Sequence, residues 1–149
     1  MNRSTASAID PEIRLALPTD ASSIAQVLAD SFAVYQPVYT PKAFAATTPG
    51  RDQIEQRLQE GPVWVAVRHG GVVGTISVVP KGNALYLRSL AVHPAAQGQR
   101  LAEMLVRQVE QYDLAQGFRR LSLSTTPFLT GAIRLYERLG FQRSRRQNQ

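Results

Sequence analysis

The chain contains no cysteine. That excludes a disulfide framework, a thiolate nucleophile and a cysteine-held metal. Imidazole is almost as scarce: His69 and His93 are the two histidines, and their spacing does not suit a metal. No Gly-x-Ser-x-Gly nucleophile turn and no internal repeat occurs. No apolar run approaches the roughly 20 residues that cross a bilayer. The opening MNRSTASAIDPE lacks the apolar stretch of a signal peptide. No contact with membrane is therefore expected, and a cytoplasmic location is. Acids are also few: 11 Asp and Glu stand against 17 Lys and Arg, for a net charge of +6 and a sequence pI of about 10.3.

What is present suits one packed domain: 149 residues, 44% of them hydrophobic. Much of the positive excess lies late, where Arg134, Arg138, Arg143, Arg145 and Arg146 face Glu137 alone. Residues 1–11 are expected to be a disordered leader, 12–142 the domain, and 143–149 a solvated basic tail.

Along the chain, Glu12 to Leu17 alternates as a strand does. Pro18-Thr19-Asp20 starts a helix that lines up Ile24, Val27, Leu28, Ser31 and Phe32. Tyr35 to Pro49 mixes proline with aromatics and reads as irregular. Arg51 to Glu60 is a short helix, closed by Gly61-Pro62. Three strands follow (Val63–Arg68, Val72–Val79, Ala84–Val92), with His69-Gly70-Gly71 as a hairpin turn. A helix from about Gly98 to Gln116 buries Leu101, Leu105, Val109 and Tyr112 and stops at Gly117. Arg120 to Thr125 is a strand, Thr130 to Leu139 a helix ended by Gly140, and Phe141 starts a last strand. The pattern predicts an α/β fold with a mixed sheet: an antiparallel meander plus one parallel crossover from the Ala84 strand to the Leu121 strand.

The most informative stretch is LRSLAVHPAAQGQRLAEML, Leu87 to Leu105. An apolar strand ends at His93-Pro94, a small-residue turn follows, and an amphipathic helix begins at once. Unpaired backbone N–H groups and the positive end of the helix dipole then converge on one point, an anion site suited to phosphate or pyrophosphate. Gly98 lets a ligand come close to the main chain.

Three segments together resemble the GNAT superfamily of acyl-CoA-dependent N-acyltransferases. They are VWVAVRHGGVVGTISVV, SLAVHPAAQGQRLAEMLV and AIRLYERLGF. The second is similar to the family signature Gln/Arg-x-x-Gly-x-Gly/Ala after a Val-x-Pro strand end. Gln97, Gly98 and Ala102 match it, and Arg100 stands where its central glycine would be. Leu129 replaces a frequent Asn, and Tyr86 or a neighbour stands where a strand Glu often serves as base. The family's last two strands are largely absent, so the fold is expected to be GNAT-like but truncated at the C-terminus.

The resemblance implies acetyl-CoA as cosubstrate and no metal. Backbone groups of Gln97, Gly98, Gln99, Arg100, Leu101 and Ala102 would hold its pyrophosphate. The signature strand and its parallel neighbour would splay, helped by an irregularity near Arg88 to Leu90. The pantetheine arm would then pair with Leu90, Ala91 and Val92. The N–H of Leu90 or Val92 would face the thioester oxygen. A primary amine, on a small molecule or on a peptide or protein, would attack the thioester directly in a ternary complex. Tyr136 would be the general acid for the leaving thiolate. A water chain or a hydroxyl of Tyr35, Tyr39 or Ser124 would take the amine's proton.

Two other classes compete. One is a catalytically weak or inactive CoA-binding regulatory domain, prompted by Arg100, Leu129 and the short end. The other is a nucleic-acid-binding module, prompted by the pI. It ranks last, because no aromatic interleaves the basic residues after Phe141. The short end also predicts a bare edge on the Leu121 strand, which a homodimer partner or the tail would cover.

Overall fold

The computed structural model describes residues 11–98, 100–118, 120–125 and 129–142. The basic tail (143–149), Gln99 and all of the leader except Pro11 lie outside them. Five strands form one sheet in the order β1-β2-β3-β4-β5: β1 (Glu12–Leu15), β2 (Val63–Arg68), β3 (Gly71–Lys81), β4 (Ala84–Val92) and β5 (Arg120–Leu123). The first four are antiparallel and β5 runs parallel to β4, as the strand order predicts. At the β2–β3 turn His69 and Gly70 both take positive φ (53° and 78°), the pair of conformations a tight right-twisted hairpin requires.

Alternation along β2 sorts two cores onto opposite faces. Val63 and Val65 pack with Ile24, Val27 and Leu28 of α1 (Ala21–Phe32) and Ile54 of α3 (Arg51–Glu60). Trp64 and Ala66 pack with Leu101, Leu105, Val106 and Val109 of α4 (Leu101–Gln116) and Tyr136 of α5 (Thr130–Arg138). Trp64 meets Tyr112 edge-on, with ring centroids 5.4 Å apart.

Four expectations need correction. The stretch from Tyr35 to Pro49 is not irregular. It holds a 3-10 segment (Ala33–Val38) and the helix α2 (Pro41–Thr47), whose N-cap Thr40 accepts the Ala43 N–H at 3.1 Å. The helix expected from Gly98 starts at Leu101, because Gly98 and Arg100 are both left-handed. The late strand ends at Leu123 rather than Thr125. Phe141 and Gln142 are not in a strand, and the rest of that expected strand lies outside the described residues; Phe141 folds back, donating its N–H to the Tyr136 carbonyl at 2.9 Å.

β1 stops at Leu15 because Asp20 gathers the chain there. Its carboxylate accepts from Arg14 at 2.8 and 3.1 Å and from the Leu17 N–H at 2.7 Å. Hydrogen bonds from Arg14 hold the Asp20 carboxyl below the usual carboxylate range. A depressed pKa stabilises the fold above the unfolded value, and the gain is lost as pH falls through the folded one. Asp20→Ala should therefore cost about 1–3 kcal/mol near neutrality. The gap in melting temperature from the parent should close as the pH drops below about 4.

Candidate active site

The site is built on β4. This strand pairs with β3 along its length, but the register shifts once. Ser89 lies opposite Ser77 and Leu87 opposite Val78, so Arg88 is an extra residue. The result is a β-bulge, which bends the strand and increases its twist. β5 pairs with β4 only over Ala84 to Leu87. Among the described residues no strand pairs with that edge of β4 beyond Leu87, next to the bulge, which lies where the family resemblance implies an irregularity.

Register also decides which backbone groups face the gap. His93 donates its N–H to the Val73 carbonyl at 2.8 Å, which makes His93 a hydrogen-bonded position of the β3–β4 ladder. Antiparallel alternation then turns Ala91 toward Thr75 in β3, and turns the backbone groups of Leu90 and Val92 to the open edge. Of the three residues expected to pair with a ligand, Leu90 and Val92 face the opening, and Ala91 is taken up by the ladder. The Val92 carbonyl already accepts from the Ser31 hydroxyl at 2.9 Å and the Gln97 amide at 3.1 Å.

The open edge runs into the start of α4. After the 3-10 turn Pro94–Ala96, capped by His93 Nδ1 accepting the Ala95 N–H, Gly98 and Arg100 take φ of 83° and 64°. Arg100 thus adopts the conformation its glycine counterpart would favour. The first turn of α4 leaves N–H groups without helical acceptors. A cavity of about 360 Å³ lies at this mouth, walled by Val92, Gln97, Gly98, Arg100 and Leu101 and by Leu135 and Arg138 of α5. Helix dipole, Arg100 and Arg138 make it electropositive, with Glu103 3.7 Å from Arg138 as a partial counter. Relieving the left-handed arginine should show in stability. Arg100→Gly is expected to gain about 0.5–1 kcal/mol, the backbone relief exceeding glycine's entropy cost. A melting temperature at or below the parent's would refute it.

Tyr136 sits elsewhere. It is buried on α5, its ring edge-on to Phe141 at 5.6 Å, and burial pushes its hydroxyl up to about 12. It walls a larger cavity of about 980 Å³ that runs along β5 past Leu121, Leu123 and Phe141. The structure brings Gln97, Gly98, Arg100, Leu101 and Ala102 into one cavity with neighbours of Tyr136 on the same helix, but not with Tyr136.

Sequence reasoning missed several residues beside the gap. Ser31 hydrogen-bonds the open edge, His93 lies 3.3 Å from Asp30, and at the bulge Arg57 donates to Ser89 and Arg88 to Glu60. An arginine inside the apolar strand LYLRSLAV was the available signal for Arg88.

A mixed sheet opened on one side by a bulge, with an electropositive helix mouth at the end of the opening, suits a transferase that holds an extended nucleotide thioester. Comparison with known proteins gives the same class. Residues 24–141 match the model of the acetyltransferase (GNAT) family. The chain belongs to that family and is an acyltransferase. It is similar to the uncharacterized N-acetyltransferase YjgM of Escherichia coli (strain K12), 30% identical over 138 residues, which cover 89% of this chain and 82% of that one. It is also similar to the probable N-acetyltransferase family 8 member 5 of Mus musculus, 38% identical over 90 residues, but there the match spans 56% of this chain and 40% of the mouse protein. In fold it resembles the PaiA N-acetyltransferase of Thermoplasma acidophilum, solved in complex with coenzyme A: TM-score 0.78 at 17% identity, covering 90% of this chain and 91% of that one. Among the described residues, no helix is long and apolar enough to cross a membrane.

Proposed function

We propose that this chain moves an acetyl group from acetyl-CoA to a primary amine, the amine attacking directly with no covalent enzyme intermediate. The observation that carries this reading is the continuity of the open β4 edge with the helix mouth: a strand-shaped slot that ends in a cavity walled by Arg100 and Arg138. The donor set fits the cosubstrate. Backbone N–H groups of Gln97, Gly98 and Arg100 to Ala102, with the Arg100 and Arg138 guanidinium groups, would hold the diphosphate. Leu90 and Val92 would pair with the arm as a neighbouring strand does.

Acetyl-CoA supplies an acyl group activated as a thioester; positioning is the work of the protein. The Leu90 N–H, turned to the gap, would stabilise charge developing on the thioester oxygen, by roughly 3 kcal/mol. Tyr136 remains the proton donor to the departing thiolate in this reading. With its pKa near 12 it keeps its proton throughout the neutral range, as an acid must.

Thermal melting tests cofactor binding. At about 100 times its Kd, a ligand that binds only the folded form adds about 2.7 kcal/mol, which should raise the melting temperature by roughly 5–10 °C for a chain of this size. No rise with acetyl-CoA would remove the reading. One observation favours a second reading, a weakly active or inactive CoA-binding domain: Tyr136 walls the β5 cavity rather than the helix mouth. Thiol release from acetyl-CoA across a panel of amines separates the two, since the second reading expects binding without release.

A further inference from the structure

The bulge carries a polar cluster that the acyl-transfer geometry does not use. Arg88 donates to Glu60 Oε1 at 2.7 Å, and Arg57 of α3 donates to the Ser89 hydroxyl at 2.9 Å. Ser77 lies directly opposite Ser89 in the ladder and is only 4% exposed. Five buried side-chain polar atoms lack a hydrogen-bond partner among the described residues, and three are here: Ser77 Oγ, Arg88 Nε and Arg88 Nη2. Orphaned buried donors are costly, and their concentration at one place calls for an explanation. Charge points the same way, because two guanidinium groups share one carboxylate, Glu60. Burial and the neighbouring Arg88 together push the Arg57 guanidinium below its ordinary pKa.

Position gives the cluster a role. Ser89 shares a sheet face with Ala91, the face covered by α1 and α3, opposite to α4 and its anion site. Arg88 and Ser89 directly precede Leu90, whose N–H faces the gap. The cluster therefore flanks the reacting end of the slot, on the far face from the diphosphate mouth. We propose that Arg57 and Arg88, with the hydroxyls of Ser77 and Ser89, form a subsite for a carboxylate carried by the acceptor amine. The acceptor is then an amine with a carboxylate on an adjacent carbon, as in an amino acid. The assignment rests on the acetyl-transfer reading above. Two donors left on one edge of Arg88 suit the two oxygens of a carboxylate, which a guanidinium binds in parallel. A cationic polyamine would meet repulsion here.

The test compares each of a set of amino acids with its carboxamide, and each N-acetylamino acid with its N-acetyl carboxamide. In transfer assays on the unmodified protein, acids should exceed carboxamides in kcat/KM by roughly tenfold or more, mostly through KM. By thermal shift in the presence of coenzyme A, the N-acetylated acids should stabilise the protein more than their carboxamides, a readout that needs no turnover. Arg88→Gln and Arg57→Gln should erase both preferences yet leave acetyl-CoA binding by calorimetry unchanged, and Arg88→Lys should restore part. Equal treatment of acids and carboxamides by the unmodified protein in both assays overturns the subsite. Selective binding of the acids with no transfer to any amine overturns the acetyl-transfer reading and leaves the subsite standing.

Discussion

Tyr136→Phe is expected to lower kcat by about 10²-fold or more, the usual worth of a positioned general acid. Acetyl-CoA affinity should stay within about twofold, because the residues assigned to the diphosphate lie at the helix mouth, in a different cavity. The substitution removes one hydroxyl and keeps the ring against Phe141, so the melting temperature should barely move. The pH profile supplies a second check. A phenol held near 12 by burial stays protonated, and kcat should show no descending limb from this group below about pH 11. Unchanged turnover, once chemistry is shown to limit the rate, would take Tyr136 out of the mechanism and leave its ring a packing role beside the β5 cavity.

The largest effect on stability is expected from Gly61→Ala, a loss of about 3 kcal/mol and a fall in melting temperature of roughly 6–12 °C. Gly61 joins α3 to β2 in an extended conformation open to any residue, so the cost is steric alone. A Cβ there would come within 2.2 Å of the Val78 carbonyl oxygen and 3.2 Å of the Val79 Cα. Both are backbone atoms with no flexible end to yield. The Val78 N–H donates to the Pro62 carbonyl at 3.1 Å, so relief of the clash would strain the contact that ties the α3–β2 turn to β3. Gly50 begins the same helix with no atom within 4 Å of its would-be Cβ. Gly50→Ala is the control, and urea melts of the pair check the prediction.

Strong local signals were readable in the chain. The meander was legible because VWVAVR and its neighbours alternate between two covered faces, and because a glycine follows His69 at the turn. The end of β4 was legible from His93-Pro94, and the bulge near Arg88 came from the family resemblance. The start of α4 is not legible, because no residue type marks a left-handed arginine; Gly98 is one of two residues that reorient the chain ahead of the helix. α2 does carry a local signal, since Thr40-Pro41 is a cap followed by a proline suited to a first turn. The prolines and aromatics mixed through Tyr35 to Pro49 mask it. The Arg57–Arg88 cluster is a tertiary fact. Its members lie on a helix and a strand 31 residues apart, and only the packing of α3 on β4 brings them together.

Arg88 lengthens β4 by one residue relative to β3. Leu85, Leu87, Leu90 and Val92 all face the α4 core, and taking out the extra residue would leave that apolar series evenly alternating. What such a deletion would remove is curvature. A straightened β4 would keep the line it has from Ala84 to Leu87, where it pairs with β5, and the opening past Leu87 would narrow. On this view the cleft on one side of β4 depends on a single residue of surplus length against the partner strand on its other side, and a chain shortened there should fold with little slot left to fill.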